Sequence, residues 1–281
     1  MSKITFIGTG LLGSAFVEAA LGRGDEVTVW NRTAARAEPL RSLGARVAES
    51  PADAVKGAER VHVVLKDDDS VEQVIAMFKD HLDPAAVIVD HTTTRPDRTA
   101  KRSRDYAASG VRYLHCPVFI GPAAARKGEG IILAAGRKDL FDIVRPALER
   151  QAQRVVYYGE EPGRAAAIKL AGNAFIVGIG GLIADALTVG RQGGASGDEI
   201  LDALGWFNSA NIVRGRGRNM VDDNFPPSFE LSMARKDLQL MIETASIERL
   251  AMLPGLAARM DEMMARGFGS EDYSVVGKDS A

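Results

Sequence analysis

Residues 4–13 read ITFIGTGLLG, an apolar run that turns into Gly8-Thr9-Gly10-Leu11-Leu12-Gly13. The run predicts a short strand over 4–7, and the residues after the glycines predict a helix to about residue 21. A GxGxxG turn between strand and helix is built for a dinucleotide. The first glycine permits the tight turn, the second lets a pyrophosphate reach the backbone, and the third allows close helix packing. Free N–H groups at the helix N-terminus hold the phosphates. A second strand over 26–30 completes a βαβ unit.

The end of that second strand selects the dinucleotide. An acidic residue about 20 positions past the glycines would bond a ribose 2′-hydroxyl. This chain has Asn31-Arg32-Thr33 there, with Arg36 one helical turn further on. Guanidinium and hydroxyl groups suit a 2′-phosphate, so the expected cofactor is NADP(H), held by Gly8, Thr9, Gly10, Leu11, Leu12, Gly13, Asn31, Arg32, Thr33 and Arg36.

The alternation continues outward from this unit. Ser50-Pro51-Ala52-Asp53 has the chemistry of a helix start, with Ser50 as N-cap. A buried strand is predicted over 61–65, and Ser70-Val71-Glu72-Gln73 reads as a capping box. Asp67-Asp68-Asp69 ahead of it reads as a solvated loop. Strands over 87–90, 111–114 and 131–134 extend the sheet, and a helix from Pro96 stops at Gly110. The predicted fold is therefore α/β, a Rossmann-type doubly wound sheet. Ligands of such sheets bind beyond the carboxyl ends of the strands. That places Leu65-Lys66-Asp67, Asp90-His91-Thr92-Thr93 and His115-Cys116-Pro117-Val118 around the nicotinamide, with Leu65 and Lys66 as contacts.

After residue 162 the strand signals end. Residues 163–194 form one long helix that is apolar on almost every face, the pattern of a helix covered on all sides. Helices follow over 198–204, 210–221, 231–250 and 256–266, with Gly267 as a stop. The chain thus divides into a cofactor domain, 1–162, and an all-α domain, 163–281, that begins with the long helix. Lys169 and Asn173 lie four positions apart on one face of that helix. An ammonium in an apolar helix needs partners or a wet cleft.

Composition bounds the rest. The 281 residues are 46% hydrophobic and 26% charged, with a formal charge of -2, which gives no electrostatic case for nucleic acid or an anionic membrane. Lys101, Arg102 and Arg104 read as a solvated helix face. The one cysteine, Cys116, excludes an internal disulfide, and the N-terminal residues run straight into a strand without a signal peptide, so a cytoplasmic protein is expected. Lys169, Asn173, Asp185 and repeated glycines interrupt the long apolar run and argue against a transmembrane span. His62, His81, His91 and His115 show no metal-ligand spacing, and no G-x-S-x-G elbow marks a hydrolase.

Together these motifs resemble the β-hydroxyacid dehydrogenases, the family of 3-hydroxyisobutyrate dehydrogenase and tartronate semialdehyde reductase, over most of the chain. Residues 8–13 are similar to the family's cofactor signature and Asp90-His91-Thr92-Thr93 to its Asp-x-Ser-Thr loop. Gly163 through Lys169 to Asn173 resembles its G-x5-K-x3-N signature, and Lys236-Asp237 its late Lys-Asp pair beside the cleft. The resemblance implies catalysis by Lys169 and Asn173, a cofactor contact at Lys236, a nicotinamide or substrate contact at Thr93, a substrate contact at Asp237, and a homodimer.

One motif departs. Where the family has Asp-Ala-Pro-Val-Ser-Gly-Gly, this chain has His115-Cys116-Pro117-Val118-Phe119-Ile120-Gly121-Pro122. Phe119 and Ile120 replace the serine and first glycine that would hold a substrate carboxylate. With Gly121 they imply a larger, less polar substrate. Three functions stay open: reversible hydride transfer between NADP(H) and a small carbonyl or hydroxy compound, such as a semialdehyde acid, with Lys169 as general acid and base; imine reduction in an apolar pocket; and dinucleotide binding without turnover.

Overall fold

The computed structural model describes residues 2–246 and 248–280. Two compact units are present, Met1–Asn173 and Ala174–Ala281, dividing within the long helix.

The first unit runs β1 (Lys3–Ile7), α1 (Leu11–Gly22), β2 (Glu26–Trp30), α2 (Glu38–Arg41), β3 (Arg46–Val47), α3 (Pro51–Ala54), β4 (Arg60–Val63), α4 (Asp68–Ala76), β5 (Val87–Asp90), α5 (Pro96–Ala108) and β6 (Tyr113–His115). It continues through β7 (Val118–Phe119), α6 (Pro122–Lys127), β8 (Ile131–Ala134), α7 (Lys138–Leu148) and β9 (Arg154–Tyr157) into α8 (Arg164–Gln192). Six parallel strands form one sheet in the order β3-β2-β1-β4-β5-β6. The chain starts in the middle, winds out through β3, and crosses back to β4. Ile7 pairs with both Trp30 and Val63, so the residues that follow, Gly8, Asn31 and Val64, leave the sheet side by side at the reversal of strand order. A crevice must open there. Apolar residues cover both faces, Phe6, Phe16 and Val89 in one core cluster and Val61, Ile75 and Phe78 in another. Each buried phenylalanine contributes about 2–3 kcal/mol.

Several expectations are corrected in this unit. β8 does not extend the main sheet; it pairs with β7 and β9 in a separate three-stranded sheet, bridged to the first at His115 and Ala135. β3, β7 and β9 carried no clear pattern, β3 and β7 being two residues long. Helix α4 begins at Asp68, with Asp67 and not Ser70 as its cap: the Asp67 carboxylate accepts the Ser70 N–H at 2.9 Å and its hydroxyl at 2.7 Å, so the aspartates are the cap and first turn. Arg102 is not on a solvated face; it is 3% exposed. Ser50 does cap α3, accepting the Asp53 N–H at 3.0 Å.

The second unit holds the remainder of α8 with α9 (Gly197–Gly205), α10 (Ser209–Asp222), α11 (Leu231–Ala245) and α12 (Leu253–Ala265). Leu231, Leu238, Met260, Met263 and Val275 form its core. Helix α11 ends at Ala245, short of the predicted residue 250, and α12 starts earlier than expected at Leu253. Its first turn is held from α8, where Asp185 accepts the N–H groups of Ala251, Met252 and Leu253 at 2.6, 2.8 and 2.9 Å. Asp272, fully buried, accepts from Arg216, Ser228, Phe229 and Ser274.

The expected all-round burial of the long helix is not met within one chain. Phe175, Ile176 and Val177 are 49, 59 and 73% exposed. An apolar pattern states that a helix needs cover; it does not state that the same chain provides it. The helix also has the length and apolarity of a membrane-crossing segment, with a mean hydropathy of 1.7.

Candidate active site

The glycine turn is fixed by close approach. Gly8 has φ of +101°, and a β-carbon there would lie 2.2 Å from the Val64 carbonyl oxygen. At Gly13 a β-carbon would meet the Gly8 carbonyl at 2.1 Å, so α1 packs on the turn only without a side chain. Gly10 has open space around it and stands at the N-cap of α1 with no side-chain cap. The N–H groups of the first turn of α1 are therefore free for an anion. Thr9 sits buried behind the turn, its hydroxyl without a partner among the described residues.

A cavity of about 520 Å³ opens over this turn. Its wall brings together Gly8, Gly10, Leu11, Leu12, Gly13, Asn31, Arg32, Thr33, Arg36, Leu65, Lys66, Thr93, Ile120 and Lys169 of the expected set. Trp30, Val64, Ser70, Val74, His91, Thr92 and Val118 also line it. Most of these follow directly on strand ends or open α4, a position the topology supplies once the register is known.

Asn31 binds the turn to the neighbouring loop. Its Oδ1 accepts the Thr9 N–H at 3.1 Å and its Nδ2 donates to the Thr33 carbonyl at 2.9 Å. Arg32 and Arg36 are exposed beside it and make no ion pair among the described residues. Two guanidinium groups, a free helix N-terminus and a turn that excludes β-carbons fit a dinucleotide carrying an extra phosphate.

The Thr92–Thr94 segment is held from beneath by buried polar groups. Thr92 accepts the Leu65 N–H at 3.0 Å and donates its own N–H to Asp90 at 2.9 Å, while His115 Nε2 donates to the Thr92 carbonyl at 2.9 Å. Asp90 is fully buried and accepts the Tyr113 hydroxyl at 2.6 Å; Arg102 lies 4.0 Å from Asp90 and 3.0 Å from Asp68. Burial, followed by the neighbouring Asp90 charge, pushes the Tyr113 phenol well up, so it stays a hydrogen-bond donor. Under the cavity His91 and His62 stack, with His91 Nε2 3.0 Å from His62 Nδ1 and His91 Nδ1 2.7 Å from the Cys116 carbonyl. A carbonyl only accepts, so His91 carries its proton on Nδ1 and His62 donates to it. Burial drives His91 down to about 4, and both rings are neutral at neutral pH.

Lys169 is 9% exposed on the first turns of α8, and its Nζ donates to Asn173 Oδ1 at 2.8 Å. The helix can start this close to α5 because residue 163 is a glycine; a β-carbon there would lie 2.7 Å from the Pro96 carbonyl. Burial lowers the Lys169 pKa below the ordinary lysine value. Phe119, placed by β7, lays its ring 4.4 Å from Nζ. The carbonyl oxygen of Asn173 must face an ammonium, so its amide N–H groups remain free to donate elsewhere.

Not every expected residue joins this wall. Gly121 is the N-cap of α6 and, like Phe119 and Asn173, is not part of the cavity lining. Lys236 and Asp237 lie in the second unit on α11, partly exposed, with Lys236 Nζ 3.0 Å from Asp237. Among the described residues no group of His, Cys, Asp and Glu is arranged to hold a metal.

The relationships of the chain agree with this geometry. Residues 3–159 match the NAD-binding domain of 6-phosphogluconate dehydrogenase, and residues 163–277 match the NAD-binding domain of NADP-dependent 3-hydroxyisobutyrate dehydrogenase. Glyoxylate/succinic semialdehyde reductase 1 of Arabidopsis thaliana is 29% identical over 280 residues, 98% of this chain and 96% of that protein. The human cytokine-like nuclear factor N-PAC is 30% identical over 244 residues, 85% of this chain but 44% of its own length. An imine reductase from Aspergillus terreus, solved in complex with NADPH4 and dibenz[c,e]azepine, superposes with a TM-score of 0.85 at 26% identity over 98% of each chain. The chain belongs to the β-hydroxyacid dehydrogenase family, and is an oxidoreductase that uses NADP(H).

Proposed function

We propose that the protein reduces a small aldehyde or ketone with NADPH, and runs the reverse oxidation of the alcohol, with Lys169 as general acid and base. The observation that carries this reading is Lys169, buried in the wall of the cavity that the glycine turn opens and bonded to the half-buried Asn173 behind it. The glycine turn, Arg32 and Arg36 would hold the cofactor, which would supply the hydride. Lys169 holds the proton that the carbonyl oxygen takes as charge develops on it, and in the reverse direction its neutral amine removes that proton. The amide of Asn173 donates to the same oxygen and fixes the Lys169 rotamer. Thr93 orients the nicotinamide or the substrate from its anchored loop. Phe119, Ile120 and Gly121 bound the substrate side, and Lys236 and Asp237 take their cofactor and substrate roles by analogy with the family's late Lys-Asp pair.

The substrate is a semialdehyde acid or a less polar relative. The Arabidopsis relative is named for glyoxylate and succinic semialdehyde, which favours the acid. The apolar Phe119-Ile120 segment and the likeness to an imine reductase favour a second reading, reduction of an uncharged imine.

A second copy of the chain, in a cytoplasmic homodimer, covers the exposed apolar face of α8. Asp185 and Lys169, charged groups on that helix bonded within the protein, argue for a protein partner over lipid. The formal charge of -2 argues against a nucleic-acid partner.

NADPH oxidation, followed with carboxylated aldehydes, uncharged aldehydes and cyclic imines, tests the reading with Lys169→Ala in parallel. Turnover should fall by about 100-fold or more in the variant, the scale of a lost proton-transfer group, with NADPH binding retained. Full turnover by Lys169→Ala would remove Lys169 from the mechanism.

A further inference from the structure

We infer that Phe119 is a positioning residue for Lys169: its ring, seated in the space left by Gly172, holds the ammonium by its π face and sets how readily Lys169 gives up its proton.

Three observations meet at this point. The Lys169 Nζ lies 4.4 Å from the centroid of the Phe119 ring, within the range over which a ring attracts a cation. A β-carbon on Gly172 would lie 2.3 Å from Phe119 Cζ and 2.7 Å from Cε1, so the ring occupies the space that a side chain at 172 would fill. Phe119 is the first residue at which this chain departs from the Ser-Gly-Gly turn of its family. A hydroxyl there would face a substrate; a phenyl ring here faces the proton donor. Chain segment and helix are thus shaped to each other around one ammonium.

The electrostatic surroundings leave the ring a clear role. Asn173 is the sole hydrogen-bond acceptor of Nζ among the described residues, and it is neutral. The other titratable groups of the cavity wall are His91, Lys66, Arg32 and Arg36, none of them anionic. Burial is the cause of the lowered Lys169 pKa, with no ion pair opposing it. With no carboxylate against the ammonium, the Asn173 oxygen and the quadrupole of the ring are what remain to favour its charged form. The sign is then fixed. Weakening the π face should lower the Lys169 pKa further, because the charged form loses its support while burial persists.

The inference rests on the reading of Lys169 as the proton donor, but its test does not require turnover. Phe119 is replaced by phenylalanines of increasing fluorination, up to pentafluorophenylalanine, which withdraw electron density from the ring face at nearly constant shape. In the full-length protein, trace acetic anhydride labels Lys169 as a function of pH, and the Lys169-containing peptide is quantified by mass spectrometry. The midpoint of labelling should fall stepwise with fluorination, by about half to one and a half pH units at full fluorination. Phe119→Leu, carried in parallel, removes the π face altogether and should lower the midpoint as well. A midpoint that is unmoved or raised across the fluorinated series overturns the inference, whatever the substrate proves to be. Turnover by Lys169→Ala overturns the proposed function instead and leaves the labelling result intact.

Discussion

Asn31 accepts the backbone N–H of Thr9 at 3.1 Å, so the residue at the end of β2 that in other dinucleotide folds would reach out to a ribose is turned inward to brace the glycine turn. Recognition beyond the ribose passes to Arg32 and Arg36. Their guanidinium groups line the cavity and make no ion pair among the described residues.

The double variant Arg32→Ala, Arg36→Ala should therefore weaken NADPH binding by about 10- to 100-fold, the scale of one or two charge-assisted hydrogen bonds. Binding of NADH should change little. Fluorescence titration with both cofactors gives the ratio; equal losses for the two would show that these arginines do not meet the 2′-phosphate.

Asn173→Ala removes the acceptor that favours the charged Lys169. Turnover should drop by about 10- to 1,000-fold, the range for losing an oriented donor at the reacting oxygen. The carbonyl reduction needs protonated Lys169, so the rate holds at low pH and declines as pH rises through its lowered pKa. In the variant that decline should begin at lower pH. A pH profile of kcat with an unchanged limb would separate Asn173 from Lys169.

The buried set of Asp68, Asp90, Arg102 and Tyr113 ties α4 and α5 to the strand end that carries Thr92. Arg102→Met should destabilise the first unit by about 3–5 kcal/mol, because it leaves two buried carboxylates without their cation. Urea unfolding measures this. A loss below about 1 kcal/mol would mean that water reaches Asp90.

Asp185 gathers three N–H groups at the start of α12. Burial works to raise its carboxyl, and these donors more than offset it, holding the pKa below the ordinary value. Its contribution is present above the unfolded carboxylate value of about 4 and is lost as pH falls through the lower folded value. Asp185→Asn should cost about 1–3 kcal/mol at neutral pH and show a shallower loss of stability on acidification. Urea midpoints at neutral and acid pH, compared between the two proteins, test both parts.

The parts of the fold that the sequence announces are those written in local chemistry. Gly8 to Gly13, Ser50 before Pro51, and Gly267 after α12 each serve a backbone need that their neighbours make visible. Arg102 looked like one more cation in a basic stretch because its partners, Asp68 and Asp90, are distant in sequence and meet it only when α4, α5 and β5 assemble. β7 is two residues long, too short to show alternation, yet it places Phe119. The Lys169–Asn173 pair was legible because four residues on a helix bring two side chains together without help from the fold. The ring beside them was not, since its fit depends on a glycine more than 50 positions away.

That fit makes positions 119 and 172 one unit of inheritance. Any residue larger than glycine at 172 must be matched by a smaller one at 119, and a wider ring at 119 has no further room to gain. Libraries that reshape the substrate pocket one codon at a time will find position 172 intolerant, whereas paired changes at 119 and 172 can exchange the ring for a side chain rooted in the helix. Such pairs would reopen the space in which other members of the family keep their serine.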